Sequence, residues 1–133
     1  MLDFDAALSA CPLIAILRGV RPDEVVAIGQ QLVDAGFRLI EVPMNSPSPL
    51  ESIEALQNAF GDRAVVGAGN GLAPEVVDQV AGIGGRLIVM PHADNKVIAA
   101  DHQKGLICTP GVATTTEGVV ALAAGAEATK VFS

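Results

Sequence analysis

The stretch PDEVVAIGQQLVDAGFRLIEV, residues 22–42, places a helical pattern directly before a strand pattern and sets the expected fold class. Between residues 22 and 35, apolar side chains recur at helical spacing: Val25, Val26, Ile28, Leu32 and Val33. Pro22 suits the first helical turn, and Gly36 stands where a left-handed C-cap ends a helix. Residues 39–42 have the length and apolar content of a buried strand. The stretch therefore predicts one helix followed by one strand.

The same alternation extends in both directions from this stretch. Five more short apolar runs predict strands at residues 13–17, 64–68, 87–89, 106–109 and 128–132. Strand starts fall about every 19 to 26 residues, with helical patterns between them, and residues 3–8 predict a further short helix. Pro49 and Pro74 lie near further helix starts, and Gly84 and Gly105 follow helical stretches as Gly36 does. Crossovers of this length join parallel strands, and continuous apolar strands suit a sheet buried on both faces. We expect residues 1–133 to form a single α/β domain of parallel βα repeats.

Two architectures use such repeats: an open doubly wound sheet and the (β/α)8 barrel. The periodicity alone does not decide between them. A closed barrel takes about 250 residues, whereas this chain of 133 residues ends on its sixth predicted strand.

Composition narrows the expected partners. The net charge of −7, without a run of Lys or Arg, argues against nucleic acid. No run approaches the roughly 20 apolar residues that cross a bilayer, and the acidic N-terminus is unlike a secretory signal, so we expect a cytoplasmic protein. Cys11 and Cys108 lack metal-ligand spacing, and we predict no metal site. A small-molecule partner is favoured.

Two charged residues stand inside otherwise apolar strand runs, namely Glu41 and Lys130. Charges are rarely buried unless they are paired. One interpretation is catalytic: desolvation favours the neutral amine of a lysine, which can attack a ketone to form a Schiff base, while Glu41 moves protons nearby. The other is structural: a buried ion pair, or a lysine whose ammonium group reaches solvent at the strand end.

Three more residues follow predicted strands at the carboxyl edge, where α/β proteins place ligand sites. Arg18 can bind a carboxylate or phosphate bidentately, although an exposed Arg beside a turn glycine fits the sequence equally well. Asn70 follows the glycine-rich end of the third run, where Asn70 and Gly71 can equally form a turn. Pro91 follows the fourth as Pro110 follows the fifth, and prolines here are first of all devices that end strands.

Five segments resemble the 2-keto-3-deoxy-6-phosphogluconate and 2-keto-3-deoxy-6-phosphogalactonate aldolase family in order and spacing. They are PLIAILRGV (12–20), IEVPMNSP (40–47), VGAG (66–69), PGVAT (110–114) and AGAEATKVF (124–132). The resemblance covers essentially the whole chain. Within it, Asn45-Ser46-Pro47 is similar to the phosphogalactonate type, and Asn70-Gly71 departs from the family's usual Thr-Val.

The resemblance implies a (β/α)8 barrel, here incomplete with about six strands, and a class I aldolase. It implies that Lys130 forms the Schiff base, that Glu41 is the general acid/base, and that Arg18, Asn70 and Pro91 bind the substrate. The implied products are pyruvate and glyceraldehyde 3-phosphate, in Entner–Doudoroff-type carbohydrate metabolism, with no cofactor or metal. A homo-oligomer, typically a trimer, is also implied.

Two other functions stay open on the sequence. The chain can be a truncated barrel that acts as a structural or assembly subunit and retains catalytic residues only by ancestry. A different phosphate-binding βα enzyme is a further alternative, although the phosphate loops of strands seven and eight would lie outside this chain.

Overall fold

The computed structural model describes residues 1–69 and 73–131. Six helices and six strands lie within these ranges: α1 Phe4–Ala10, β1 Ile14–Ile16, α2 Pro22–Asp34, β2 Leu39–Pro43, α3 Pro49–Phe60, β3 Val65–Gly69, α4 Pro74–Gly82, β4 Leu87–Met90, α5 Asn95–Gln103, β5 Ile107–Val112, α6 Thr115–Ala124 and β6 Lys130–Val131. No helix of the described ranges combines the length and the apolarity needed to cross a membrane.

The six strands form one parallel sheet in the order β1-β2-β3-β4-β5-β6. A doubly wound sheet reverses its strand order at a switch point, whereas a (β/α)8 barrel adds each strand beside the previous one. The sequential order therefore decides between the two architectures. It confirms the prediction of an incomplete α/β barrel with six strands, which together form a half-barrel.

The helix boundaries agree with the positions of proline and glycine in the sequence. Helices α2, α3 and α4 each begin at a proline, whose missing N–H is unused in the first turn of a helix. Gly36, Gly84 and Gly105 have φ angles of 106°, 88° and 76°, and each follows a helix. Because residues with a side chain rarely adopt this left-handed backbone conformation, glycine is favoured where the chain turns back toward the next strand.

The sheet is covered on both faces by different elements. On the outer face, buried side chains of the strands pack against helices α2 to α6 in one large apolar cluster. On the inner face, Phe4 and Ala7 of α1 pack against Leu39, Val65 and Leu87. These three residues lie at or near the start of their strands. Helix α1 thus closes the amino end of the half-barrel and leaves the carboxyl end open.

One expectation about prolines is wrong. The sequence places Pro110 just beyond a strand, but β5 continues through it to Val112. Pro110 pairs with Met90, the last residue of β4, while Gly111 is the first to pair with β6, at Lys130. Pro110 is thus the last residue of β5 that pairs with β4, and pairing with β6 begins at the next residue. A missing N–H at this position costs the sheet little.

The close approach of β3 and β4 yields a stability prediction. A Cβ atom at Gly67 would lie 2.6 Å from the Cα of Leu87 and closer still to its carbonyl group. Because that obstacle is backbone, we expect Gly67→Ala to destabilise the fold by about 3 kcal/mol. Chemical denaturation of both proteins measures the difference.

Gly82→Ala is the matched control, since Gly82 ends α4 and nothing lies within 4 Å of a Cβ atom there. That variant should be neutral or stabilised by about 0.5 kcal/mol. Equal effects of the two substitutions would refute the close approach of the strands.

Candidate active site

The pairing register brings chemistry-bearing residues to the carboxyl end of the sheet. Glu41 of β2 pairs with Ile16 of β1 on one side and with Gly67 of β3 on the other. Leu17 continues β1 by donating its backbone N–H to the carbonyl of Glu41 at 3.0 Å. Arg18 therefore emerges one residue beyond this hydrogen bond, at the edge where barrel enzymes bind their ligands.

Four of the five predicted site residues line one cavity of about 180 Å³: Arg18, Glu41, Pro91 and Lys130. Ile16, Val89 and Met90 complete its lining. The fifth predicted residue, Asn70, lies outside the described residues. A carboxyl group, an amine and a guanidinium group thus share one small space, although they come from widely separated parts of the sequence.

Glu41 is the buried member of this group, with only 2% of its surface exposed. Burial raises the pKa of its carboxyl group from 4.5 to about 7, while the charges of Lys130 and Arg18 partly oppose the rise. Its Oε2 atom is buried and accepts no hydrogen bond from the described residues. A carboxyl group in this state can gain or lose a proton near neutral pH.

Gly69 gives the Glu41 carboxyl group its room, a role that the sequence analysis missed. A Cβ atom at Gly69 would collide with both carboxylate oxygens of Glu41. Gly69 pairs with Pro43, two residues beyond Glu41 along β2, so the two lie on the same face of neighbouring strands. The alternation of side chains along a strand could have indicated this role. It does so only once the register between β2 and β3 is known, and the sequence does not give that register.

The sequence left open whether Lys130 is buried within its strand or reaches solvent at the strand end. Lys130 and Val131 are both exposed in β6. Within the described residues β6 pairs only with β5, through Gly111 and Val112, so its other side is uncovered. The amine nevertheless faces the cavity, and its charge acts on the pKa of Glu41. The alternative of an ammonium group that reaches solvent at the strand end describes its exposure correctly.

Arg18 is exposed and is tied to the loop that follows β2. Its Nη1 donates a hydrogen bond to Oδ1 of Asn45 at 3.3 Å. The neighbouring backbone N–H of Gly19 donates to Oγ of Ser46 at 3.0 Å. The loops after β1 and β2 therefore contact each other at the rim of the cavity.

Other features of the described residues offer less chemistry. A larger groove, about 360 Å³, lies between α6 and β6, but the described residues lining it include no titratable side chain. His92 is exposed, and His102 lies 3.7 Å from Glu127 outside the cavity. In the part of the chain that the structure describes, no three His, Cys, Asp or Glu side chains are grouped as metal ligands would be.

Comparison with known proteins identifies relatives of this arrangement. The chain is 49% identical over 121 residues to the 2-dehydro-3-deoxy-6-phosphogalactonate aldolase of Escherichia coli K12, covering 91% of this chain and 59% of the relative. It thus spans about three-fifths of that relative's length.

Two solved structures have the same fold. The structure described as native KDPGal superposes with a TM-score of 0.87 at 49% identity, over 91% of this chain and 59% of its own. A KDPG aldolase from Legionella pneumophila, with pyruvate captured as a covalent carbinolamine, superposes with a TM-score of 0.79 at 25% identity, over 90% and 58%.

A family model provides the assignment. The aldolase family described as KDPG and KHG aldolase matches residues 4–133, which is nearly the whole chain. The match agrees with the half-barrel order of the strands and with the residues gathered at their carboxyl ends. This chain belongs to the KDPG and KHG aldolase family.

Proposed function

We propose that this chain carries the Schiff-base site of a class I aldolase that cleaves 2-dehydro-3-deoxy-6-phosphogalactonate to pyruvate and glyceraldehyde 3-phosphate. The observation that carries the proposal is the shared cavity of Lys130, Glu41 and Arg18. An amine, a proton carrier and an anion-binding group are the three parts that cleavage of a 2-keto acid requires.

Lys130 acts first, as the nucleophile. Its neutral amine adds to the C2 ketone of the substrate, and loss of water from the resulting carbinolamine leaves an iminium ion. As its carboxylate, Glu41 can accept the proton that Lys130 gives up and return it to the hydroxyl group that leaves as water, because both side chains face the same cavity. This return restores the Glu41 carboxylate. The carbinolamine captured with pyruvate in the Legionella pneumophila relative is an intermediate of this kind.

Glu41 then moves protons during cleavage. Its carboxylate, acting through a water molecule, removes the proton of the C4 hydroxyl group. The C3–C4 bond breaks, glyceraldehyde 3-phosphate departs, and the electron pair passes into the iminium to give an enamine. Protonation of C3 and hydrolysis release pyruvate and restore Lys130. A pKa of about 7 suits a group that must accept and return protons at neutral pH.

The remaining residues bind the substrate. Arg18 supplies a positive charge and several N–H donors for an anionic group, and Pro91 forms part of the apolar wall. Asn70 is retained as a substrate-binding residue, although it lies outside the described residues. Neither the nucleophilic step nor the proton transfers require a cofactor.

The phosphogalactonate configuration is favoured over the phosphogluconate one. Identity is 49% to the phosphogalactonate enzyme of Escherichia coli and 25% to the KDPG aldolase of Legionella pneumophila. Asn45-Ser46-Pro47, which resembles the phosphogalactonate type, lies beside Arg18 at the cavity rim. This position beside Arg18 supports the phosphogalactonate assignment.

We also propose that the chain acts in the cytoplasm as a homo-oligomer, a trimer by the family resemblance. Light scattering during size exclusion should give three times the chain mass. A monomer at micromolar concentration would refute the trimer.

Trapping with borohydride tests the Schiff base directly. Incubation with pyruvate and borohydride should add one reduced pyruvate to the chain, as seen by intact mass, and Lys130→Ala should abolish the adduct. Lys96→Ala is the control, because Lys96 is exposed on α5 and does not line the cavity. That variant should keep the adduct.

An absent adduct on folded wild-type protein would remove the aldolase proposal. It would favour the second function considered above, an inactive barrel that serves as a structural or assembly subunit. The observation that favours this alternative is the exposure of Lys130.

Glu41→Gln tests the perturbed carboxyl group. Because the folded state holds the Glu41 proton to about pH 7 but the unfolded chain releases it near 4.5, wild-type stability falls as pH rises between these values. The Gln variant lacks this loss and should be more stable than wild type above pH 7, by on the order of 3 kcal/mol. Near pH 4.5 the difference should nearly vanish. Urea unfolding at pH 4.5 and pH 8 measures both.

The same variant should lose cleavage but still form the adduct, at a lower rate than wild type. Removing a general acid/base lowers the cleavage rate roughly 10²- to 10⁴-fold, whereas Lys130 remains available for pyruvate. Glu54→Gln, on the exposed side of α3, is the control for both measurements and should match wild type. A stability difference independent of pH would show that Glu41 is not perturbed.

A further inference from the structure

The loops that follow β1 and β2 are joined by two side chains of the second loop, Asn45 and Ser46. Ser46 is buried, with 6% of its surface exposed, and its Oγ accepts the backbone N–H of Gly19 at 3.0 Å. Asn45 is exposed, and its Oδ1 accepts Nη1 of Arg18 at 3.3 Å. One contact fixes the backbone of the first loop, and the other fixes the end of its arginine side chain.

Arg18 needs both contacts to hold one position. It is exposed, and the next residue, Gly19, has a φ of 79°, so the chain turns sharply just after the arginine. A long side chain on such a turn has many rotamers available. The Ser46 contact sets where the side chain begins, and the Asn45 contact selects where its guanidinium group ends.

We propose that Asn45 is a positioning residue, which orients Arg18 toward the carboxylate of the 2-keto acid held at Lys130. The inference rests on the proposed aldolase function and adds to it the residue that sets the anion-binding geometry. Asn45 acts only through Arg18 and does not itself touch the reacting atoms.

The carboxylate is the anionic group that the cavity can bring to Arg18. In a 2-keto acid the carboxylate is bonded to the ketone carbon that Lys130 attacks. The carboxylate must therefore enter the same cavity as the ketone. Arg18 and Lys130 line one cavity of about 180 Å³. The phosphate lies several bonds beyond the cleaved C3–C4 bond and is therefore much farther from the ketone carbon than the carboxylate is.

Asparagine suits this task because it is neutral. A guanidinium group carries five N–H donors, and Asn45 accepts a hydrogen bond from only one of its nitrogens, Nη1. Donors therefore remain for bidentate binding of a carboxylate. An aspartate or glutamate at the same place would orient Arg18 equally well but would cancel the charge that attracts the substrate. The amide oxygen directs the arginine and leaves its charge available.

The pyruvate dependence of borohydride trapping tests the proposal. Asn45→Ala should raise the half-saturating pyruvate concentration about fivefold, the effect of losing one hydrogen bond of this type. The amount of adduct at saturation should not change, because Lys130 is intact. Asn58→Ala is the matched control: Asn58 is exposed on α3 and does not line the cavity, so wild-type behaviour is expected.

A double-mutant cycle separates positioning from a general structural effect. If Asn45 acts through Arg18, then Asn45→Ala should have no further effect on half-saturation in an Arg18→Ala background. Additive effects of the two substitutions would overturn the proposal, as would an unchanged half-saturation in Asn45→Ala alone.

A measurement independent of catalysis keeps the two proposals distinguishable. Nitrogen-15 relaxation of the Arg18 Nε–H group should show increased mobility in Asn45→Ala and none in Asn58→Ala. If wild type forms no adduct, the aldolase function fails, and this measurement alone decides the role of Asn45. Unchanged Arg18 mobility in Asn45→Ala overturns the positioning role, whether or not wild type forms the adduct.

Discussion

The parallel pairing of consecutive strands is the constraint on which the rest of the structure depends. Because every strand runs in the same direction and lies beside the previous one, all carboxyl ends meet at one edge. Residues 18, 41, 91 and 130 thereby share one cavity despite a separation of more than a hundred positions. The same pairing places α1 against the opposite end, so one end of the half-barrel is closed and the other is available to a ligand.

The carboxyl group of Glu41 shows what this arrangement costs. Removing a carboxylate from water is unfavourable, and two nearby positive charges only partly compensate for it. The fold makes the burial possible through Gly69, whose missing side chain leaves the space that the carboxylate occupies. The folded protein thus disfavours the charged form of Glu41, which agrees with the proton-transfer role proposed for this residue.

The three ionisable side chains of the cavity are held to different degrees. Glu41 is fixed within a fully buried strand. Arg18 extends from a loop and depends on contacts with the neighbouring loop for its position. Lys130 lies on the last described strand, which is open on one side. A buried carboxyl group is thus combined with two basic side chains that come from more exposed elements.

Local residue patterns were sufficient for the repeat unit. The apolar runs predicted all six strands, the prolines predicted three helix starts, and the glycines at 36, 84 and 105 predicted left-handed turns. These features depend on backbone preferences and on the spacing of apolar side chains, which act over a few residues. Motif resemblance added the aldolase family, which the family model then confirmed over residues 4–133. It also added the roles of the candidate site residues, which stay a prediction.

What the sequence by itself determined, therefore, is the parallel βα repeat, the family and the identity of the charged residues inside the strands. Only the tertiary structure decided the order of the strands, the exposure of Lys130, the space that Gly69 leaves for Glu41, and the contact between Asn45 and Arg18. Each of these depends on which strands become neighbours and in what register. Pairing between distant segments is set by the packing of the whole sheet. The local preferences of residues do not predict it.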